Sequence, residues 1–557
     1  MSTRLNQFAF ATMAALAALA VPATAAAQDG DERQAPRAHH SEITPYIEAS
    51  QIVYAELDPG SDVVTYSQLA VGVDASITGR NSAAAVSLRY EREIGISDNA
   101  PDGDTISGIA RASLGIVPRT LSLEAGALAT RASIEGNGGT VLGPLARGDG
   151  SGQIYSAYVG PSIHTQTGPV TVEGHYRLGY TKVEEADDVV TGPGADPVDV
   201  FDSSTVHAAQ LRVGTKAREV LPVGLAATGG WYQENISNLD QRVKDRYVRG
   251  DVAVPVGRDL QLVGGAGYED VEVSSRDVLR DGGGVPVIGD DGRYVTDKSS
   301  PRRIAYETSG LIWDAGVMWR PSRRTSLEAH VGKRYDSTSY YGTFAWAPNS
   351  RSSLNVAVYD GIAGFGGQMT NVLADLPAEF QALRNPISGD ITGCVQGAEG
   401  GSNCFAGAFG SIRSSVFRSR GVMASYGVDF GRTSLSFGAG YDRRKFIGAA
   451  GTILEQANGL ADENFWLAAN LDRQIDARSS VSFNAYANWF ESGFDDAGSS
   501  TGYGASAAYY RNIAGGLNGT VAVSLDGITR DSLDDESQLG ASALVGLRYS
   551  FGSGGRN

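Results

Sequence analysis

The chain has 557 residues and a formal net charge of −17, from 63 Asp and Glu residues against 46 Lys and Arg residues. This acidic balance excludes nucleic acid as a partner, because phosphate backbones are held by clustered Lys and Arg side chains. Glycine is abundant at 72 residues, whereas methionine is rare at 5. Beyond the N-terminus no run is long and apolar enough for a membrane helix. The composition therefore favours strands over helices.

Residues 1–27 have the features of a cleaved export signal. Arg4 precedes an apolar run from Phe8 to Val21, and Ala25-Ala26-Ala27 stands before Gln28 as a signal-peptidase site. The run is shorter than the roughly 20 residues of a spanning helix. We therefore expect an exported protein, with residues 28–42 as a short periplasmic linker, and keep a retained N-terminal membrane helix as the alternative.

Strict two-residue alternation recurs along the rest of the chain. In Val170–Lys182 (VTVEGHYRLGYTK), apolar or small residues alternate with polar ones, which is typical of a strand with two different faces. The same pattern occurs at 69–77, 121–127, 311–319, 422–430 and 481–489. Runs of about 10 to 14 residues match tilted membrane strands and exceed the usual globular strand.

Tight connections alternate with long ones. Arg80, Arg119 and Arg323 lie in tight turns, whereas several long connections are acidic. Together these patterns predict an all-β fold in the outer membrane. It is a single transmembrane antiparallel β-barrel over residues 43–551, with about 22 strands (roughly 18 to 24), short periplasmic turns and long extracellular loops. Residues 552–557 are predicted to be a C-terminal extension.

In such a barrel the apolar faces contact lipid and the polar faces line the lumen. Charges of both signs fall on the predicted inner faces, which indicates either a path for a polar solute or a set of structural cross-strand ion pairs. The candidate lumen-lining residues are Glu173, His175, Arg177, Arg212, Arg249, Asp251, Glu328, His330 and Arg334. The sequence predicts no metal site and no cofactor.

An outer-membrane hydrolase is the rival class of function. Its candidate histidine and carboxylate pairs are His175 with Glu173 and His330 with Glu328, each two residues apart on one strand face. No nucleophile elbow, zinc-binding helix motif or phosphate loop accompanies them. The sequence therefore favours a protein that is not an enzyme.

Residues 360–415 form a connection far longer than a hairpin needs, and loops of this length are usually functional or disordered. Cys394 and Cys404 lie within it, and in an exported chain this pair predicts a disulfide. The loop also contains apolar residues at helical spacing, which need a dry surface to bury them. They are Val372, Leu373, Leu376, Phe380 and Leu383. We expect this loop to fold into or over the lumen; the alternative is a loose surface loop.

Two segments carry a resemblance to a known family. Trp319–Tyr340 (WRPSRRTSLEAHVGKRYDSTSY) and Phe409–Val422 (FGSIRSSVFRSRGV) resemble the Gram-negative outer-membrane barrel family associated with PEP-CTERM and exopolysaccharide systems. The resemblance extends best over Leu311–Leu435. It implies an envelope role linked to exopolysaccharide, with export components as partners, and brings no catalytic residues.

The last strand ends in Leu547, Tyr549 and Phe551, an ending similar to the C-terminal signature of outer-membrane proteins. We therefore expect the barrel assembly machinery, outer-membrane lipid and lipopolysaccharide as partners. The predicted function is porin-like or exopolysaccharide-export-associated passage of a polar solute or glycan. The alternative is a structural or surface-interaction barrel whose lumen the long loop blocks.

Overall fold

A computed structural model describes residues 40–97, 100–135, 137–141, 151–185, 200–397, 402–494, 497–531 and 537–552. The predicted signal peptide, residues 28–39 of the predicted linker and residues 553–557 lie outside these ranges. The first strand begins at His40, so the linker predicted to reach residue 42 ends at least three residues earlier.

Within these ranges, twenty-two strands form the wall of the barrel. They are β1 (His40–Asp58), β2 (Val63–Thr78), β3 (Ser82–Gly95), β4 (Gly103–Val117), β5 (Leu121–Ile134), β7 (Ser151–Thr167), β8 (Val170–Glu185), β9 (Ser203–Thr215), β10 (Gly224–Ile236), β11 (Gln241–Pro255), β12 (Leu260–Ser275), β13 (Arg303–Ser322), β14 (Thr325–Arg334), β15 (Ser337–Asn349), β16 (Ser352–Ala363), β20 (Phe417–Asp429), β21 (Thr433–Phe446), β22 (Ala461–Gln474), β23 (Ser479–Glu491), β24 (Ser499–Ala514), β25 (Leu517–Arg530) and β26 (Gln538–Ser550).

The wall closes on itself because β1 is antiparallel to both β2 and β26. Ile47, for example, lies opposite Val71 on one side and opposite Tyr549 on the other. Closure gives both end strands a partner, which a sheet in lipid requires because no water is present to bind a free edge.

The remaining elements lie in the connections. Strand β6 (Thr140–Val141) pairs with β5, and one connection carries α1 (Phe365–Asp375), β17 (Phe380–Arg384), β18 (Ile391–Gly397) and β19 (Ser402–Cys404). Single 3-10 turns cover Asn238–Asp240, Ala406–Phe409 and Ile453–Ala457. Within the described ranges, no helix has the length and apolar character needed to cross a membrane.

The two faces of the wall have opposite polarity. Large apolar side chains point outward and stay exposed, such as Leu311 at 68% and Val71 at 51%. Polar side chains point inward, and Gln68, Glu269 and Asn470 are buried. A closed sheet that is apolar outside and polar inside is a transmembrane barrel of the outer-membrane type, so the chain is located in the outer membrane.

The connections on the rim opposite the tight turns differ in length. Most are long, as predicted, but β1 and β2, β10 and β11, and β14 and β15 are joined by short turns. In the β14–β15 turn, Tyr335 and Asp336 both have positive φ (52° and 51°). Two such residues in a row make the turn whose twist matches that of paired strands, so no loop is needed there.

The inside–outside assignment predicts the effect of a charge on each face. Val71→Arg places a cation in the middle of β2 on the lipid side and should lower the free energy of unfolding in lipid vesicles by about 2–4 kcal/mol. Gln210→Arg adds the same side chain next to the lumenal cavity and should change stability far less. Denaturant titration in vesicles and heat-modifiable gel migration measure both. Equal effects of the two substitutions would contradict the assignment.

Candidate functional site

Residues 364–416, named here the lumenal loop, leave the wall after β16 and return at β20. Helix α1 packs against β5, β7, β8 and β9, whereas β17 and β18 lie against β3 and β4, and β19 lies against β20 and β21. Cys394 and Cys404 are joined by a disulfide between β18 and β19. The loop therefore crosses the outer half of the lumen. The predicted loop began at Asp360, but residues 360–363 belong to β16.

The predicted helical pattern is only partly helical. Val372 and Leu373 lie in α1, whereas Phe380 and Leu383 lie in strand β17. The helix ends at Asp375 because Leu376 precedes Pro377, and a residue before proline avoids helical backbone angles.

An apolar core fills the outer half of the lumen. From the loop, Phe365, Met369 and Leu373 are fully buried, and they share one cluster with Val243 and Val271 of the wall. Each such side chain contributes about 1.5–3 kcal/mol when it is removed from water. The wall is thus apolar inside at this level, which departs from the polar lumen that strand alternation predicts.

One wall carboxylate binds the start of α1. Glu234 of β10 is completely buried and accepts hydrogen bonds from the backbone N–H groups of Gly364 (2.7 Å) and Gly367 (2.9 Å). The hydroxyls of Ser204 (3.0 Å) and Tyr232 (2.7 Å) also donate to it. The first N–H groups of a helix have no partner within it and carry partial positive charge, so a carboxylate there is stabilising.

Glycine makes this approach possible. A β carbon on Gly366 would collide with the Ser204 hydroxyl, and one on Gly367 would collide with the Tyr232 hydroxyl. Strand periodicity does not single out Glu234. The local signal that could have drawn attention to this region is the glycine-rich run Gly364–Gly367, which opens the helix.

Arginine side chains anchor the other parts of the loop. Arg131 of the wall pairs with Asp390 at 3.1 Å. In the reverse direction, Arg384 of the loop donates to the carbonyl oxygens of Ser87 (3.1 Å) and Ser107 (3.3 Å) in the wall. Burial lowers the pKa of Arg384. These bonds give partners to charged groups that would otherwise be buried without one.

A second pair of arginines holds the end of the loop. Arg444, which is almost fully buried, donates to the carbonyl oxygens of Ser411 (2.6 Å) and Gly407 (3.0 Å). Arg413 of the loop lies 3.2 Å from the carboxylate of Asp462. The loop is therefore fixed at both ends and in the middle.

The inner half of the lumen contains a cavity of about 860 Å³. Its wall comes mainly from β8 to β15, and no described residue of the lumenal loop lines it. Seven of the nine predicted lumen residues border it: Glu173, Arg212, Arg249, Asp251, Glu328, His330 and Arg334. His175 and Arg177 share the inward face of β8 with Glu173 but are not among the lining residues.

The charges on one side of the cavity form a connected network. Arg249 lies 2.7 Å from Asp251 and 2.6 Å from Asp314. His330 connects two carboxylates, with Nδ1 at 2.9 Å from Asp314 and Nε2 at 3.1 Å from Glu328. The His330–Asp314 contact joins the neighbouring strands β14 and β13, and the Arg249–Asp314 contact reaches past β12 to β11, so the network stiffens this part of the wall.

Of the two histidine and carboxylate pairs proposed from the sequence, His330 with Glu328 is formed and His175 with Glu173 is not. Glu173 contacts His164 on the adjacent strand at 3.2 Å rather than His175. Residues two apart along a strand compete with residues across the ladder, and here His164, which lies opposite Glu173, is nearer. His330 is stacked on Tyr341, with ring centres 4.6 Å apart.

Arg334 forms the boundary between the cavity and the apolar core. Its guanidinium lies 2.6 Å from Glu269 and 2.8 Å from Asp245. The adjacent Tyr335 already belongs to the apolar cluster. On this side of the barrel the lumen thus changes from polar at Arg334, the last residue of β14, to apolar at Tyr335.

The contacts of Glu234 predict the effect of removing it. Glu234→Ala leaves the N–H groups of Gly364 and Gly367 without their acceptor, which costs about 1–3 kcal/mol per lost buried bond. Hydrogen exchange of the α1 amides should therefore become faster. Glu463→Ala, which removes an exposed carboxylate of β22, should leave α1 exchange unchanged. Equal exchange in Glu234→Ala and the unchanged protein would show that Glu234 does not hold the loop.

No protein-family model matches the chain, and no curated protein matches it. Solved structures with a similar arrangement include the ferric-catecholate import receptor Fiu of E. coli K12, at 11% identity and a TM-score of 0.42, covering 91% of this chain and 81% of that one. The FrpB iron transporter of Neisseria meningitidis has 10% identity and a TM-score of 0.43 over 91% and 81% of the two chains. The copper transporter OprC has 12% identity and a TM-score of 0.39 over 93% and 82%.

Proposed function

We propose that the chain is an outer-membrane passage for a polar solute, in which the inner cavity receives the solute and the lumenal loop controls the outer half. The observation that carries this proposal is the polar cavity of about 860 Å³ beneath a loop that crosses the lumen. Charged side chains of both signs line this cavity, which supports the entry of a polar solute.

Two half-exposed charges of opposite sign border the cavity and suit a polar solute. Arg212 and Glu173 each keep about half of their side-chain surface exposed, at 52%. Tyr247 and Tyr341 also border the cavity and offer aromatic surface beside the charged groups. Aromatic and hydrogen-bonding side chains together are the chemistry that a sugar or another hydroxyl-rich solute requires.

The finer assignment to exopolysaccharide export rests on the resemblance of Trp319–Tyr340 and Phe409–Val422 alone and stays a prediction. The specific alternative is a structural barrel whose lumen stays blocked. The many anchors of the lumenal loop favour that alternative, whereas the cavity favours passage, so conductance is the property that separates them.

Deleting residues 370–404, with a short Gly-Ser linker in their place, removes most of the filling of the outer half. Single-channel conductance in planar bilayers should rise several-fold, because the constriction and its apolar core are lost. The matched control replaces residues 281–292 of the β12–β13 connection, an exposed turn, and should leave conductance unchanged. A closed barrel in both variants, despite heat-modifiable migration of a folded protein, would support the blocked structural barrel instead.

A further inference from the structure

The wall of the barrel has a seam between the outer halves of β15 and β16. Strand β15 pairs with β14 from its first residue, Ser337, and β16 pairs with β20 to its last residue, Ala363. The ladder between β15 and β16, however, begins only at Gly342 opposite Val358. In this fully described part of the wall, Ser337–Tyr341 and Tyr359–Ala363 therefore have no register partners in each other.

This ladder is also the shortest in the ring. Six residue pairs join β15 and β16, fewer than join any other neighbouring strands of the described wall. Backbone hydrogen bonds of the ladder are what keep a barrel closed in lipid. The β15–β16 boundary is thus the place where the wall separates most easily.

Side chains, instead of backbone, close the seam. Asp360 of β16 has no exposed side-chain surface and lies 2.7 Å from Arg418 and 3.3 Å from Arg420. Arg420 reaches across the seam and donates to the carbonyl oxygen of Thr338 at 2.8 Å. Rotation of two side chains opens such a closure, whereas a ladder opens only when several backbone bonds break.

The inner cavity extends to this seam. Ser339 and Tyr341 on one side and Asp360 on the other are among its lining residues. Toward the outer rim the cavity is bounded by Arg334 and the apolar core above it. A solute that enters the cavity therefore meets the seam without any movement of the lumenal loop.

The seam lies at the outer edge of the apolar belt. Just below it, Val422 faces lipid with 40% of its surface exposed. Above Val422 the next outward position of β20 is Arg420, whose side chain is 31% exposed, whereas Arg418 is 14% exposed and packs over the ring of Tyr335. Guanidinium groups next to an apolar belt belong at the level of lipid headgroups, so the seam opens there.

We propose that the β15–β16 seam is a lateral portal through which an amphipathic solute passes between the inner cavity and the outer leaflet. The proposal rests on the proposed function as a passage. The polar head of the solute fits the mixed charges of the cavity, and its apolar tail remains against the belt. Asp360, held between Arg418 and Arg420, is the latch of this portal.

The test compares two locks in the full chain with its native disulfide. The seam lock is Ser339→Cys with Gly361→Cys, bridged by a short bismaleimide; these residues would be opposite each other if the ladder continued. The loop lock is Gly179→Cys with Thr370→Cys, whose β carbons would lie 3.1 Å apart. Each single-cysteine variant is the control, and mass spectrometry verifies the cross-links.

The probes are a headgroup-labelled NBD lysophosphatidylethanolamine, followed by dithionite quenching in proteoliposomes, and maltose, followed by vesicle swelling. We expect the seam lock to slow the lysolipid at least tenfold and the loop lock to leave it unchanged. Asp360→Asn should speed the lysolipid several-fold, whereas Glu463→Gln, at an ion pair of the outer wall away from the seam, should not.

The other outcomes separate the portal from the passage itself. A lysolipid rate that the loop lock abolishes and the seam lock leaves unchanged would overturn the portal in favour of an axial route. Maltose flux without lysolipid flux, in the unlocked protein and in Asp360→Asn, would also overturn the portal and leave the proposed function standing. If neither probe crosses faster than it does in empty vesicles, both the portal and the proposed passage are overturned.

Discussion

The whole structure depends on the requirement that every backbone N–H and C=O group in the lipid be hydrogen-bonded within the protein. A sheet meets this requirement only by closing, and β1 closes it by pairing with both β2 and β26. The diameter of a closed barrel grows with the number of strands. With 22 strands the lumen is too wide for the side chains of the wall alone to fill it. Something else must occupy the interior, or water must.

Both solutions occur in this chain, in different halves of the lumen. In the outer half, apolar side chains of the lumenal loop pack against apolar wall residues such as Val243 and Val271. In the inner half the wall turns to charged residues around a cavity. The boundary lies at Arg334, whose bonds to Glu269 and Asp245 keep its charge paired where the apolar core begins.

A loop folded inside a barrel brings unsatisfied backbone with it. Its carbonyl oxygens are bound by guanidinium groups and the start of its helix by Glu234, so the polar anchors and the apolar core act together. Buried charges of this kind are acceptable only when each has a partner. The opposite situation occurs at the seam, where two strand segments at the edge of the belt have no ladder between them, at a level that water and headgroups can reach.

Local patterning in the sequence was sufficient to predict the strands, their inward and outward faces, the barrel and the unusual length of one connection. Two-residue alternation is a property of neighbouring residues, so it is readable without a structure. Contacts across the lumen are not: Glu234 meets Gly364, and Arg384 meets Ser87, through the closure of the ring and not through any spacing in the chain. For the same reason the sequence paired Glu173 with His175, whereas strand register pairs it with His164. The dry outer half, the polar inner cavity and the seam follow from which distant segments the closed sheet brings together, and only the tertiary structure determines that.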